Sequence, residues 1–186
     1  LSVSEKIHLL LLPALSAGFC LMLTGQVTAQ TFTNLYSFTG GSDGANPYTV
    51  IISGNILYGV ADTGGTNGNG TIFALNTNGS GFTVLHTFMA GPGYYPNITN
   101  NDGVDPAGLI LSGNRLYGTA VGGGTNGSGT IFAVNTNGMS FTNLHNFTGG
   151  SDGAYPNAVI LSGNTLYGTT TRWRQFTRWH GVRGQH

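Results

Sequence analysis

Apolar runs of four to eight residues, each closed by glycine and asparagine, alternate along most of this chain. No window of 11 residues or more carries a helical period. In the stretch 102–147 the runs are 108–111 (GLIL), 115–120 (RLYGTA), 130–135 (TIFAVN) and 140–147 (SFTNLHNF). Between them stand Ser112-Gly113-Asn114, the glycine-rich stretch 122–129 and Thr136-Asn137-Gly138. Gly-Asn between two apolar runs predicts a two-residue hairpin, because glycine takes positive φ without steric cost. Four antiparallel strands are therefore expected, and the fold class is all-β.

The same four-run pattern recurs. Tyr58, Tyr117 and Tyr167 mark one point of it, and Pro47, Pro106 and Pro156 another. The spacings are 59 and 50, so the unit is 50 residues and the middle copy carries nine extra, within the segment 89–101 (MAGPGYYPNITNN). Four strands in a period of about 50 predict kelch-like β-propeller blades. The alternative is a β-solenoid, whose rungs are usually shorter and do not need two tight hairpins per turn. The segment 31–38 (TFTNLYSF) matches the fourth run, and propellers often close by letting an N-terminal strand complete the last blade. Eleven strands are then expected, an incomplete ring where propellers use about four to eight blades.

The two ends read differently from the repeats at 30–171. Lys6 and His8 precede an apolar run at 9–23, and Val27-Thr28-Ala29 offers small residues for signal peptidase. Residues 1–29 are expected to be a signal peptide cleaved before Gln30, for secretion or display at the cell surface. The 15 apolar residues are too few to span about 30 Å of hydrocarbon, so no membrane span is expected in the mature chain. Its removal takes Cys20, leaving no thiol or disulfide chemistry. At the other end, 172–186 (RWRQFTRWHGVRGQH) is expected to be a frameshifted, non-native tail. Read one base later, allowed codons give GGGNSRGGTVFAVNT, which matches ten of the 15 residues of 122–136 one period earlier. The gene's codons decide that reading.

Charged residues make up only 6% of the chain, so solubility must come from amides and hydroxyls. The periodic apolar positions argue against disorder despite 32 glycines. Between residues 30 and 171 there are five Asp and one Arg, Arg115, which excludes the basic surface a nucleic-acid partner requires.

Candidate chemistry is sparse. Asp43, Asp102 and Asp152 share one position, each followed by Gly, with Pro four residues on. Asp-Gly is a turn pair; a shared Ca²⁺ loop is the functional alternative, and Asn100, Asp102 and Asp105 form the best oxygen cluster. The stretches 64–70 and 122–129 read as inter-strand loops, because a strand and not a helix N-terminus follows them. His86 and His145 recur where Tyr36 stands in the first copy, which points to packing or a ring hydrogen bond and not to a metal ligand. In the insertion, Tyr94 and Tyr95 could stack on a sugar ring. No carboxylate pair or nucleophile motif marks a catalytic residue.

Taken together, LYGT, the glycine-rich loop, GTIFAVNTNG, FTNLHNF and SDGAYP, spread over 30–170, resemble the Gloeo-Verruco (GloVer) tandem repeat of choice-of-anchor secreted bacterial proteins. The resemblance implies an exported, surface-associated protein whose complete form carries further repeats, and it implies no catalytic residues. The expected function is a non-enzymatic binding module for a glycan or another surface protein. The alternative is a carbohydrate-active propeller enzyme whose catalytic residues lie in missing repeats.

Overall fold

Each Ser-Gly-Asn closes a hairpin in the register its sequence predicts. Ser53 pairs with Ile56, Ser112 with Arg115 and Ser162 with Thr165, and the glycines take φ of 56°, 55° and 55°. The computed structural model describes residues 32–95, 97–172, 175–178 and 182–183, and for Arg172 and the two short segments after it the backbone only. The expected signal segment 1–29 and its cleavage point lie outside the described residues.

The first repeat folds as β1 (Ala45–Ser53), β2 (Ile56–Thr63), β3 (Thr71–Asn76) and β4 (Thr83–Thr87), an antiparallel meander. The second gives β5 (Val104–Ser112), β6 (Arg115–Gly122), β7 (Thr130–Asn135) and β8 (Thr142–Asn146) in the same order. The third contributes β9 (Pro156–Ser162) and β10 (Thr165–Arg172). Strands pair within a repeat, and the sheets meet through side chains. Among the described residues there is no helix.

Two expectations about strands change. The segment 32–39 carries no strand, because no described third strand lies beside it to share its hydrogen bonds. Its side chains nevertheless take the places of a fourth strand. Tyr36 stacks on Phe82 with centroids 4.0 Å apart and planes at 3°, as His86 stacks on Phe141 at 3.8 Å and 8°. Phe38 meets Phe73 edge-on at 66°, as Phe88 meets Phe132 at 67°. The end of each repeat thus supplies aromatic rings to the sheet that follows.

The tail adds β11 (Gln175–Arg178) and β12 (Val182–Arg183), both paired with β10. Leu166 pairs with Val182, whereas the equivalent Leu116 pairs with Val134, which one period later is position 184. The tail therefore meets β10 in two fragments, out of the register of the six-residue third strand seen twice before.

The core lies between sheets. Tyr58, Val60, Ile72 and Phe88 of the first repeat pack with Leu109, Leu116, Phe132 and Val134 of the second. Tyr117, Ile131 and Phe147 of the second pack with Leu166 of the third. Truncating a fully buried phenylalanine costs about 3–5 kcal/mol. Phe88→Ala, at the contact between the first two sheets, should lower stability by that amount in urea unfolding, while Met139→Ala in an exposed turn changes it by less than about 0.5 kcal/mol. Equal effects would contradict an inter-sheet core.

Candidate functional site

The first strand of each repeat carries the shared proline, which has no N–H to give a ladder. It is accommodated at an irregularity, with the register shifting between Pro47 and Thr49, between Pro106 and Gly108, and between the partners of Pro156 and Val159. The residue before each proline is held left-handed: Asn46 at φ 53°, Asp105 at 59° and Tyr155 at 55°. This costs each about 1–2 kcal/mol, and the preceding repeat helps to hold two of them. Asp105 N–H donates to Asn69 O at 3.2 Å, and Tyr155 N–H to Ser128 O at 2.9 Å. Gly70 and Gly129, also left-handed, close the same contact. A Cβ on Gly70 would lie 2.5 Å from Pro106 Cδ, and one on Gly129 would strike Pro156 in the same way. The glycine-rich loops are thus inter-strand loops, as expected, whose ends seat the next repeat's proline.

Beside these prolines lies a cleft of about 480 Å³ lined by all three repeats. Tyr48, Thr49 and Asp62 come from the first, Asp105, Ala107 and Val121 from the second, and Pro156, Asn157 and Ala158 from the third. These are equivalent positions, yet apart from the prolines their chemistry differs between copies. Position 62 holds Asp where the second copy has Val121, and position 105 holds Asp where the others have Asn46 and Tyr155.

The Asp62 charge acts on the Asp105 carboxyl. Burial pushes the Asp105 carboxyl above its usual range; the Tyr95 hydroxyl, donating to its Oδ2 at 2.6 Å, offsets part of this, and the Asp62 charge adds to it. The hydrogen bond to Asp105, followed by burial and nearby charge, pushes Tyr95 up to about 12. Asp62 Oδ1 is buried and accepts no hydrogen bond from the described residues. The arrangement offers acceptor oxygens and the exposed ring of Tyr48 to a polar ligand. Sequence reading missed Asp62 and left no carboxylate pair. Disagreement among the copies at a position beside the shared proline was the available signal.

The other sequence candidates are placed as follows. Tyr94 is exposed, while the hydroxyl of Tyr95 is committed to Asp105. The Asn100, Asp102 and Asp105 oxygens each have separate protein donors. Asn100 Oδ1 accepts from Gly103 N–H at 2.8 Å and Gly124 N–H at 2.9 Å, replacing the carbonyl of Gly41, which takes Gly44 and Gly65 at 3.2 and 2.8 Å. One side-chain amide thereby restores the turn that the insertion interrupts. Among the described residues, no three His, Cys, Asp or Glu side chains come together as a metal site.

Asp102 is fully buried, with Oδ2 2.9 Å from His86 Nε2 and both oxygens accepting from Met89 N–H. In the first repeat Asp43 accepts from the Tyr36 hydroxyl at 3.0 Å and from Thr39 N–H and Oγ1 at 2.8 and 2.6 Å. In the third, Asp152 lies 3.1 Å from His145 Nε2 and accepts from Thr148 N–H at 3.0 Å and from its hydroxyl. The shared aspartate is a clamp between repeats as well as a turn residue, and the recurring histidines are its hydrogen-bonding and stacking partners. Thr39's hydroxyl and amide hold Asp43 below the usual carboxylate range. Burial raises Asp152, but Thr148 and His145 outweigh it and the net shift is downward.

No family model matches the chain, and no curated protein matches it. Among solved structures it is similar to a chain of a nidogen/laminin complex (15% identity, TM-score 0.40, 67% of this chain and 55% of that one). It is similar also to the tricorn protease (11%, TM-score 0.39, 74% and 13%) and to the computationally designed Ika4 protein (14%, TM-score 0.35, 81% and 99%). The chain spans about half the length of the first of these and about an eighth of the second.

The two kinds of aspartate should respond oppositely to pH. Asp152 is depressed, so its stabilisation is full above the unfolded value of about 3.9 and is lost as pH falls through its lower folded value. Asp105 is raised, so its stabilisation is full below about 3.9 and is lost as pH rises through its higher folded value. In thermal melts at pH 7, Asp152→Asn should lower Tm and Asp105→Asn should raise it. A lower Tm for both would remove the distinction between clamp and cleft.

Proposed function

We propose that this chain is part of an exported, surface-associated repeat protein that works as a non-enzymatic binding module, with the cleft of Asp62 and Asp105 as its ligand seat. The carrying observation is that three repeats of nearly one sequence bring equivalent residues to one cleft and differ there in chemistry. The left-handed backbone before the proline belongs to every repeat, but a purely structural repeat would have no need to place a desolvated Asp105 carboxylate there beside Asp62. Binding sites are commonly positions where local strain and unfavourable charge are held by the surrounding fold.

The sheets are read as blades of a β-propeller. Each is a four-stranded meander or the start of one, and the first strands border the shared cleft, as inner strands do around a propeller axis. Export rests on the signal-like segment 1–29 and on the GloVer resemblance of the repeats. A glycan fits the cleft best: carboxylate and amide oxygens accept from hydroxyls, Tyr48 offers a stacking face, and among the described residues no cation lines the cleft to favour an anion.

One observation favours a second reading, a carbohydrate-active enzyme. Asp62 and Asp105 are two carboxylates in one cleft, and burial and the neighbouring charge raise one of them as a general acid requires. A glycan array on the full chain separates the readings. The module predicts that a retained glycan is lost on Asp62→Asn and Asp105→Asn and is recovered intact by chromatography after incubation. Cleaved glycan would establish the enzyme, and retention indifferent to both substitutions would refute the cleft as the seat.

A further inference from the structure

The tetrapeptide Thr-Asn-Gly-Ser occurs twice in this chain, at 77–80 between β3 and β4 and at 125–128 between β6 and β7. In an Asn-Gly pair the glycine nitrogen can attack the asparagine side-chain amide, because no Cβ obstructs its approach. Asn78 and Asn126 are both exposed, and both glycine N–H groups are hydrogen-bonded, Gly79 to Asn76 O at 2.9 Å and Gly127 to Gly124 O at 3.3 Å. The side chains differ. Asn126 Nδ2 donates to Phe147 O at 3.3 Å and to Thr125 Oγ1 at 3.2 Å, and Asn67 and Asn69 are tied in the same way to Phe88 O and Met89 O. Gly127 is buried beside the main chain of Asn97, and the Ser128 hydroxyl turns to the main-chain carbonyl of Asn126 at 3.4 Å. At Asn78 the oxygen is held instead. Its Oδ1 accepts from Ser80 N–H at 3.0 Å and from the Ser80 hydroxyl at 2.7 Å, and that hydroxyl accepts from Asn76 Nδ2 at 3.0 Å. No hydrogen bond among the described residues ties Asn78 Nδ2.

From this contrast we infer that Asn78 is a site of self-modification, converted through a succinimide to aspartate and isoaspartate, while Asn126 stays asparagine in the same local sequence. Hydroxide takes the Gly79 amide proton once the bond to Asn76 O opens. The nitrogen then bonds to Asn78 Cγ, and the carbonyl electron pair moves onto Oδ1. The N–H and hydroxyl of Ser80 already face the oxygen on which that charge develops, so little reorganisation is needed. Collapse breaks the Cγ–Nδ2 bond, and the nitrogen takes a proton from water and leaves as ammonia. Water opens the ring at either carbonyl, giving aspartate, or isoaspartate with one more methylene in the main chain. Either product adds a negative charge to a chain whose formal net charge is zero. At Asn126 the same attack must first pull the carboxamide from Phe147 O. Asn137-Gly138 has only the N–H half of the arrangement, Met139 N–H on Asn137 Oδ1 at 3.0 Å, and should be slower than Asn78.

The test incubates the full 186-residue chain at mildly alkaline pH, native and in urea, and follows each asparagine by peptide mass spectrometry, with electron-transfer fragmentation to distinguish isoaspartate. In urea Asn78 and Asn126 should convert at the same rate, because the four residues around each are the same. In the native chain Asn78 should convert at least about fivefold faster than Asn126, the factor that one hydrogen bond of ordinary net strength gives. Ser80→Ala, checked for native circular dichroism, should slow Asn78 about fivefold relative to its own rate in urea. Ser80→Thr, which keeps the hydroxyl, should leave the rate near that of the wild type. The comparison of Asn78 with Asn126 needs no variant and stands even if Ser80→Ala loses its fold. Equal native rates at the two sites, conversion of neither included, would overturn the inference. So would a folded Ser80→Ala chain that converts Asn78 as fast as the wild type.

Discussion

A buried carboxylate holds one repeat to the next. In each copy the aspartate of the shared Asp-Gly lies in the loop that opens a sheet, and its donors come from the segment that ends the preceding repeat. The ring that contacts it, Tyr36 or His86, also stacks on a phenylalanine of the sheet being entered. One side chain therefore joins three things: the end of one repeat, the loop that begins the next, and the aromatic core of the new sheet. A buried carboxylate without donors costs several kcal/mol, so the loop is stable only with the preceding segment in place. This makes the array sequential, each sheet depending on its neighbour as in other repeat proteins.

The same constraint explains where variation is tolerated. Nine residues are inserted between Met89 and Asp102, yet Met89 N–H reaches the carboxylate as Thr39 and Thr148 do across only four. The clamp fixes both ends of the insertion, and Asn100 supplies with its side chain the hydrogen bonds that a main-chain carbonyl makes elsewhere. The loop can then carry Tyr95 to Asp105 at the cleft without disturbing the sheets. Variation is likewise found at positions 62 and 105, where side chains line the cleft and not the inter-sheet core.

The sheets were legible in the sequence because hairpin signals and apolar runs are local. The run 130–135 is β7 residue for residue, and the run 115–120 extends only to Gly122. The first apolar run starts only at Gly108, whereas β5 begins at Val104 and passes Pro106 through the register shift. The strand expected at 31–38 failed for a different reason, that strand identity depends on a neighbour and not on sequence alone. The His86 ring hydrogen bond was expected, but its partner Asp102 lies across the insertion and no local pattern pairs them. The cleft was illegible because it joins Asp62 of one repeat to Asp105 of the next, through inter-sheet packing that periodicity does not specify.

The clamp itself can be measured directly by a double-mutant cycle between His86→Phe, which keeps the ring stacked on Phe141 but removes its nitrogen atoms, and Asp102→Ala, read by urea unfolding. The account predicts a coupling between His86 and Asp102 of about 1–3 kcal/mol, the range for residues sharing a buried hydrogen bond. Additivity within about 0.3 kcal/mol would contradict it, leaving the His86 ring with no part in the tie between repeats beyond its stacking.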